Sequence, residues 1–454
     1  MTPLDRFRRL QQRLIDASQF SCEAIRFDES REWSFEDGIL RHRTGRFFGI
    51  GGLMTAARRA ELNGREQVII LQPHRGINGL LMQRRDGIAA LLLQGRIEPG
   101  NIGIAQMALT VQATEANYLR LHGGAATPFL DWFARPTAGR VLFDTLQSEE
   151  GSRFHGKYNR NIAHEVPAEA DLALPEAFAW YGIDDIRHFA ACSNVLNTDA
   201  RSVLACLDWR LLANDGQPFA GHAPGTFGAA LRDSFVAADE SSPRSSAEIL
   251  QWLAHLRAEC AAQHRVVPIE SLRYWVIEAD QIHDPLHRDG FSVRQFAVTA
   301  IGREVPRWDQ PLVESRRPGL IGLVCQQREG TLQFLLRASY EIGFVEGVQL
   351  STALCTAAGD TVREDDAVVA DILRRLDDRD GVTVHAECDQ SEEGGRFYRD
   401  ENHYCVIELD RGVALPASDD FRWATLGQLR QLITVPGALA IELRGALTIL
   451  LSLL

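Results

Sequence analysis

The sequence predicts an α+β protein made of two tandem copies of one unit, with mixed sheets and peripheral helices. Three observations predict it. First, Gln147-Ser148-Glu149-Glu150-Gly151-Ser152-Arg153-Phe154 returns as Gln390-Ser391-Glu392-Glu393-Gly394-Gly395-Arg396-Phe397, matched at seven of eight positions with a displacement of 390 − 147 = 243 residues. Second, the same displacement pairs Gly79 with Gly322, Glu98 with Glu341, Gln106 with Gln349, Asn159 with Asn402 and Trp180 with Trp423. Third, each copy carries an apolar hairpin and closes on a helix with apolar residues at helical spacing. So long a period is not that of a solenoid, so each copy is expected to be a domain with its own core.

The elements follow in order. Residues 1–14 alternate charged and apolar positions like an amphipathic helix and lack the apolar centre of a signal peptide. The first unit is expected over residues 1–212. Its hairpin joins Gly79-Leu80-Leu81-Met82-Gln83 to Ile88–Leu93 through Arg84-Arg85-Asp86-Gly87, a turn that needs positive φ. A further strand is expected over Gln106–Thr114, and Ile183, Ile186, Phe189 and Ala190 mark the closing helix.

Residues 213–246, rich in Gly, Pro, Ala and Ser, read as a linker. A helix over Ala247–Arg265 then opens the second unit, residues 247–454. Its hairpin turns at Arg328-Glu329-Gly330, and its closing helix carries Leu426, Leu429 and Leu432. The apolar run Ala446–Leu454 is too short to span a bilayer and reads as a buried helix.

Composition bounds the function. With 45% hydrophobic and 24% charged residues the chain is ordinary globular protein, and its net charge of −13 argues against nucleic-acid or membrane-surface roles. The eight cysteines form no CxxC pair and have apolar neighbours, as expected of buried thiols in a reducing cytoplasm.

Several common sites are missing from the pattern: no GxGxxG after a strand, no phosphate loop, no HExxH or paired Cys/His, and no GxSxG elbow. The doublets Glu149-Glu150 and Glu392-Glu393 do not suggest a metal, because adjacent strand residues point to opposite faces. The scattered histidines, His42, His122, His155, His164 and His385 among them, give no pattern of a base.

Polar residues inside apolar strands remain. Thr110, Gln112 and Thr114 alternate with Leu109, Val111 and Ala113, so one face carries groups suited to sugar hydroxyls or a base edge. The same alternation fits a strand with one side in solvent. Asn117 and Tyr118 extend either reading. Arg153, Lys157 and Arg160 form the most basic short stretch of the first unit, suited to a pyrophosphate or to a solvated loop. The second copy has Asp400 and Glu401 there and suits a phosphate less.

At this point the residues resemble a known family. Leu93-Gln94-Gly95-Arg96-Ile97-Glu98-Pro99-Gly100-Asn101, Leu109–Thr114 with Asn117-Tyr118, and the twin Gln-Ser-Glu-Glu-Gly elements are similar to the NDP-hexose 2,3-dehydratases of deoxysugar biosynthesis. So are residues 42–48, Asn197-Thr198-Asp199-Ala200-Arg201-Ser202-Val203-Leu204 and Trp308-Asp309-Gln310-Pro311-Leu312.

The resemblance implies two Nudix-like domains in a homodimer. It implies a dTDP-4-keto-6-deoxyhexose substrate, no cofactor, and a 3,4-diketo-2,6-dideoxy product passed to a ketoreductase or aminotransferase. The glutamate-rich helix signature of Nudix pyrophosphohydrolases is missing, so the fold does not imply hydrolysis. The C4 ketone already acidifies the C3 proton, so elimination needs only a base, a donor to the enolate and an acid.

On this reading Glu98 is the expected base, Tyr118 or Thr110 donates to the enolate, and Gln112 orients a ring hydroxyl. The expected binding set is Gln106, Gln112, Asn117, Gln147, Ser148, Glu149, Arg153, Lys157, Asn159 and Arg160, with Gln349, Ser391, Glu392, Arg396 and Tyr398 from the second copy. No metal ligand is expected.

The second copy departs from the family pattern at Ala353-Leu354-Cys355, at Tyr340-Glu341-Ile342-Gly343 and over Ala440–Leu447, which keeps little of residues 199–204. Chemistry is therefore placed in the first unit. Residues shared by both copies are expected to be structural or nucleotide-binding, and the unshared Thr110, Gln112, Tyr118 and Lys157 to carry the reaction. A nucleotide-sugar binding protein without turnover is the alternative.

Overall fold

The computed structural model describes residues 2–85, 87–115, 126–134, 138–237, 245–287, 290–303, 305–356 and 366–454. In the first unit helix α1 (Pro3–Ser18) leads into β1 (Ser21–Ile25), β2 (Trp33–Glu36), β3 (Ile39–His42), β4 (Gly49–Ala56) and β5 (Glu66–Leu71). Then come β6 (Ile77–Arg85), β7 (Ile88–Ile97), β8 (Ala105–Ala108), β9 (Val111–Ala113), β10 (Arg140–Ser148), β11 (Tyr158–Val166) and β12 (Phe178–Gly182). Helices α2 (Ile183–Ala190), α3 (Thr198–Cys206), α4 (Phe227–Val236) and α5 (Ser246–Cys260) follow.

The second unit repeats the order. It begins with β13 (Gln263–Val267), β14 (Val276–Ile277), β15 (Ile282–His283), β16 (Phe291–Thr299) and β17 (Arg307–Ser315). Its larger set is β18 (Leu320–Arg328), β19 (Thr331–Tyr340), β20 (Val348–Thr352), β21 (Leu354–Cys355), β22 (Val382–Ser391), β23 (Glu401–Leu409) and β24 (Phe421–Thr425). Helices α6 (Ala367–Asp378), α7 (Leu426–Leu432) and α8 (Ile441–Ile449) complete it.

Each unit thus has one large mixed sheet. In the first the order is β10-β11-β6-β7-β12, with β8 on β7 and β9 on β6; β11 and β6 run parallel. The second large sheet repeats this, including the parallel pair β18 and β23. The hairpins form where expected: Arg328 pairs with Thr331 across Glu329 and Gly330, whose φ values of 51° and 85° match a two-residue turn of positive φ.

The two small sheets exchange strands. β13, from the second unit, pairs with β4 of the first, and β1, from the first, pairs with β16 of the second. The units also share a core rather than owning one each. One apolar cluster runs from Leu80, Leu91 and Val203 to Leu323, Leu336 and Leu447, with α3 packed against α8 between the large sheets. Where the units cross, the chains touch. A Cβ on Gly100 would lie 1.6 Å from the carbonyl oxygen of Phe397, and one on Gly343 would lie 2.0 Å from that of Phe154. Only glycine fits there.

Three expectations change. The strand expected over Gln106–Thr114 breaks at Leu109-Thr110, because β8 pairs with β7 and β9 with β6. Residues 213–246 contain α4, whose Leu231 and Phe235 are buried and whose Ser234 accepts from Leu426 N at 2.8 Å. Its apolar stripe Phe227, Leu231, Phe235 was hidden among small residues. The helix expected to reach Arg265 ends at Cys260, where Ala261 turns left-handed (φ 47°) and the chain becomes β13. Six of the eight cysteines are buried, and no helix among the described residues is long and apolar enough to cross a membrane.

Candidate functional site

Asn197 caps α3, its side chain accepting from Ala200 N at 2.9 Å, which places Asp199 in the first turn. Asp199 is buried, and both its oxygens are held by amides. Asn78 Nδ2, on β6, donates to Oδ1 at 2.8 Å, and Gln112 Nε2, on β9, donates to Oδ2. Gln112 is in turn fixed by Asn197 Nδ2 at 2.8 Å. Burial, and then the neighbouring carboxyls of Glu149 and Glu393, push the Asp199 carboxyl well above its usual range.

Asp199 opens into a cavity of about 450 Å³, within the usual range for a small-ligand site. Lys157, on the turn before β11, lines it and donates to the carbonyl oxygen of His74. Burial pulls this ammonium down to about 8, against the opposing pull of Glu149 and Glu393. Glu98 faces the same cavity, paired with Arg96 and, at 3.4 Å, with Arg303 Nη1.

The second unit supplies another wall, formed by Arg303, Trp308, Asp309, Gln310, Glu393, Gly395 and Arg396. Arg396 lies 4.1 Å over the Phe48 ring and bonds Gln72 Oε1 at 3.1 Å. Trp33, His42, Phe47 and Phe48 form an aromatic end, with ring centroids 4.4 Å apart for His42 and Phe47 and 4.7 Å apart for Trp33 and Phe48. Aromatic faces beside guanidinium groups suit a nucleotide base and its phosphates; the carboxylate and ammonium end suits an activated carbonyl compound.

The equivalent place in the second unit is built from other residues. Displaced by 243 residues, Asn78 becomes Ile321, Gln112 becomes Cys355, Lys157 becomes Asp400 and Asp199 becomes Glu442. Ile321 and Cys355 are buried, and Arg153, the counterpart of Arg396, is 1% exposed against the Phe291 ring at 4.0 Å. Among the described residues no group of three or more His, Cys, Asp or Glu is arranged to hold a metal ion.

The expected residues fall into three groups. Glu98, Gln112, Lys157, Asn159 and Arg396 line the cavity. Asn117 and Tyr118 lie outside the described residues. The others do not line the cavity.

Thr110, expected to meet the enolate, sits where β6 and β7 diverge; its hydroxyl donates to Leu92 O at 2.5 Å and accepts from Leu81 N at 2.9 Å. Gln106 exchanges hydrogen bonds with Ser391, and Ser148 donates to Gln349 at 2.7 Å, so each pair joins the units. Gln147 donates to Ile433 O at 2.7 Å. Asn159 and Asn402 brace Glu149 and Glu392, at 2.6 and 2.8 Å. Tyr398 stacks on Phe296.

The basic stretch is not one clamp either. Arg160 pairs with Asp144, and Arg153 lies over Phe291 in the second unit's equivalent place. The glutamate doublets lie in the turns after β10 and β22, and their members diverge. Glu149 and Glu393 act on Lys157, whereas Glu150 and Glu392 act on Asp400 or on each other.

The sequence reading missed Asp199, Asn78, Glu393, Arg303 and the aromatic end. A signal for the first existed. Asp199 and Arg201 align with Glu442 and Arg444 at the common displacement, yet the similarity over Ala440–Leu447 is too slight to draw attention.

The chain matches a protein-family model described as NDP-hexose 2,3-dehydratase, over residues 6–207 and 246–450. It is 34% identical, over 447 residues, to a dTDP-4-dehydro-6-deoxy-alpha-D-glucopyranose 2,3-dehydratase of Saccharopolyspora spinosa, covering 97% of this chain and 89% of the relative. Proteins of that name from Streptomyces violaceoruber and Amycolatopsis orientalis are 32% and 31% identical, over 90% and 92% of this chain and 88% and 83% of theirs.

Proposed function

The chain belongs to the NDP-hexose 2,3-dehydratase family, and from that premise we propose that the cavity at Asp199 dehydrates a dTDP-4-keto-6-deoxyhexose. The enzyme is a hydro-lyase. Its product is the 3,4-diketo-2,6-dideoxy sugar nucleotide, a substrate for a ketoreductase or aminotransferase. The observation that carries this reading is Asp199 itself: a buried carboxylate with both oxygens oriented by amides, in the cavity that also holds a buried lysine.

Asp199 takes the C3 proton, since burial makes its carboxylate a stronger base than one in water. Glu98, engaged by Arg96 and Arg303, anchors those guanidiniums instead. Lys157 donates to the C4 oxygen as charge builds there. The aromatic end and Arg396 take the nucleotide. The family resemblance also supports Nudix-like units, bounded near 1–212 and 247–454, in a cytoplasmic homodimer.

The test is incubation with dTDP-4-keto-6-deoxyglucose. Released dTDP and a dehydrated, unstable sugar are expected, with turnover that survives chelation. Tight binding without nucleotide release would leave a binding protein, and magnesium-dependent cleavage of the pyrophosphate would make it a Nudix hydrolase.

A further inference from the structure

The two Gln-Ser-Glu-Glu-Gly octapeptides differ at one position, Ser152 against Gly395. The difference lies against a carboxylate in each case. Ser152 Oγ donates to Glu150 Oε1 at 2.8 Å in the second unit's equivalent place. Gly395 lines the open cavity, and a Cβ there would lie 3.1 Å from Glu393 Oε1 and 3.5 Å from Glu98 Oε2. The glycine therefore leaves Glu393 facing the ligand space, with Glu98 as its neighbour. Glu98 is committed as an anion by Arg96 and Arg303. A second anion beside Glu98 is disfavoured, which leaves Glu393 the member of the pair suited to deliver a proton.

We propose that Glu393, contributed by the second unit across the boundary, is the acid that protonates the departing C2 hydroxyl. The inference rests on the dehydratase reading above. Burial, and the Glu98 charge after it, raise the Glu393 carboxyl above its usual range, while Arg396, Lys157 and Arg96 oppose the rise. Asp199 takes the C3 proton, and the C3–H electron pair moves into a C3–C4 enolate whose oxygen Lys157 meets. The C4 carbonyl then re-forms and the enolate pair becomes the C2–C3 double bond as the C2–O bond breaks with its electrons on oxygen; the Glu393 proton joins that oxygen, and water leaves. The resulting enol loses its hydroxyl proton and gains one at C2 to give the diketone. A proton passing through water from Asp199 to Glu393 resets the site.

This assignment explains the doublets. Each carries one glutamate for each site, and Glu393, with Gly395 where the other copy has Ser152, faces the cavity.

The experiment separates proton removal from loss of hydroxide. Wild type, Glu393→Gln and Asp199→Asn are each incubated in D2O with the 4-keto-6-deoxy sugar nucleotide and with its 2-fluoro analogue, whose leaving group needs little acid. Glu393→Gln is expected to lose dehydration by about a hundredfold or more, to keep C3 hydrogen–deuterium exchange within a few-fold, and to keep fluoride release. Asp199→Asn loses all three. Gly395→Ser should lower dehydration about tenfold or more by tying up the acid, whereas Ser152→Gly leaves it unchanged.

Undiminished dehydration in Glu393→Gln overturns the proposal, as does equal loss of exchange and dehydration in a variant with wild-type melting temperature. If Glu393→Gln does not fold, Gly395→Ser decides alone: retained dehydration overturns the assignment. Wild type that neither exchanges C3 hydrogen nor dehydrates sinks the dehydratase reading instead.

Discussion

Arg201 and Arg444 occupy equivalent positions of the two units, and each buries its guanidinium against the other unit's Gln-Ser-Glu-Glu element. Arg201 donates to Gln390 Oε1 at 3.1 Å and to Ser391 O at 2.8 Å; Arg444 donates to Ser148 O at 2.5 Å. Arg444 also reaches Leu439 O at 2.5 Å and Ser202 Oγ at 2.8 Å. Arg444→Met leaves these buried acceptors unmet and should cost about 2–4 kcal/mol. With one core shared by both units, denaturant titration should show a single transition moved to lower midpoint. Two separated transitions would contradict the shared core.

Asp199→Asn keeps the shape of the site and removes its base. A fall in kcat of about a thousandfold is expected, with KM changed little. Glu98→Gln, which frees Arg96 and Arg303 from their shared anion, should act more on KM. Steady-state kinetics decides, and the reverse pattern would return the base role to Glu98.

Lys157 works in its protonated form, and burial holds its ammonium near 8. An ammonium is lost as pH rises, so kcat should fall through about pH 8 on the alkaline side. Lys157→Arg should move that limb upward, because a guanidinium does not titrate there. Lys157→Met should lower kcat about a hundredfold. An unchanged alkaline limb in Lys157→Arg would show that another group titrates.

Burial raises Glu392 to about 8 and Asp400 to about 6. In the unfolded chain both return to about 4. A carboxyl raised on folding adds stability that is full below its unfolded value and lost as pH rises through its folded value. Unfolding free energy should therefore decline as pH rises from about 4 toward 8, and Glu392→Gln should flatten the slope. Chemical denaturation at several pH values tests this; stability rising across that window would refute it.

Thr110→Val removes an acceptor from Leu81 N and a donor to Leu92 O. It should cost about 1–3 kcal/mol while kcat of the folded enzyme stays the same. A thousandfold loss of kcat with intact stability would put Thr110 in the chemistry.

Much of this was legible in residues that lie close together in the chain. The hairpins at Gly87 and Gly330, the closing helices and the buried C-terminal helix each follow from a periodicity or a turn contained in a short window. Lys157 and Gln112 stood out because the copies differ there. Asp199 and Glu393 did not, because both copies carry an acid at those positions. Their chemistry depends on neighbours: Asn78 and Gln112 around one, Gly395 and Glu98 around the other.

The sequence by itself determined the duplication, the α+β composition and the family, since each is written in local identity and local pattern. Only the tertiary structure decided that β1 and β13 change places, that one core serves both units, and that Glu393 from one copy lines the same cavity as Asp199 from the other. The physical reason is that an exchanged strand satisfies the same hydrogen bonds and buries the same face as an unexchanged one. Loop-closure entropy grows only slowly with separation, so the choice falls to packing between residues more than two hundred positions apart, which no local window contains.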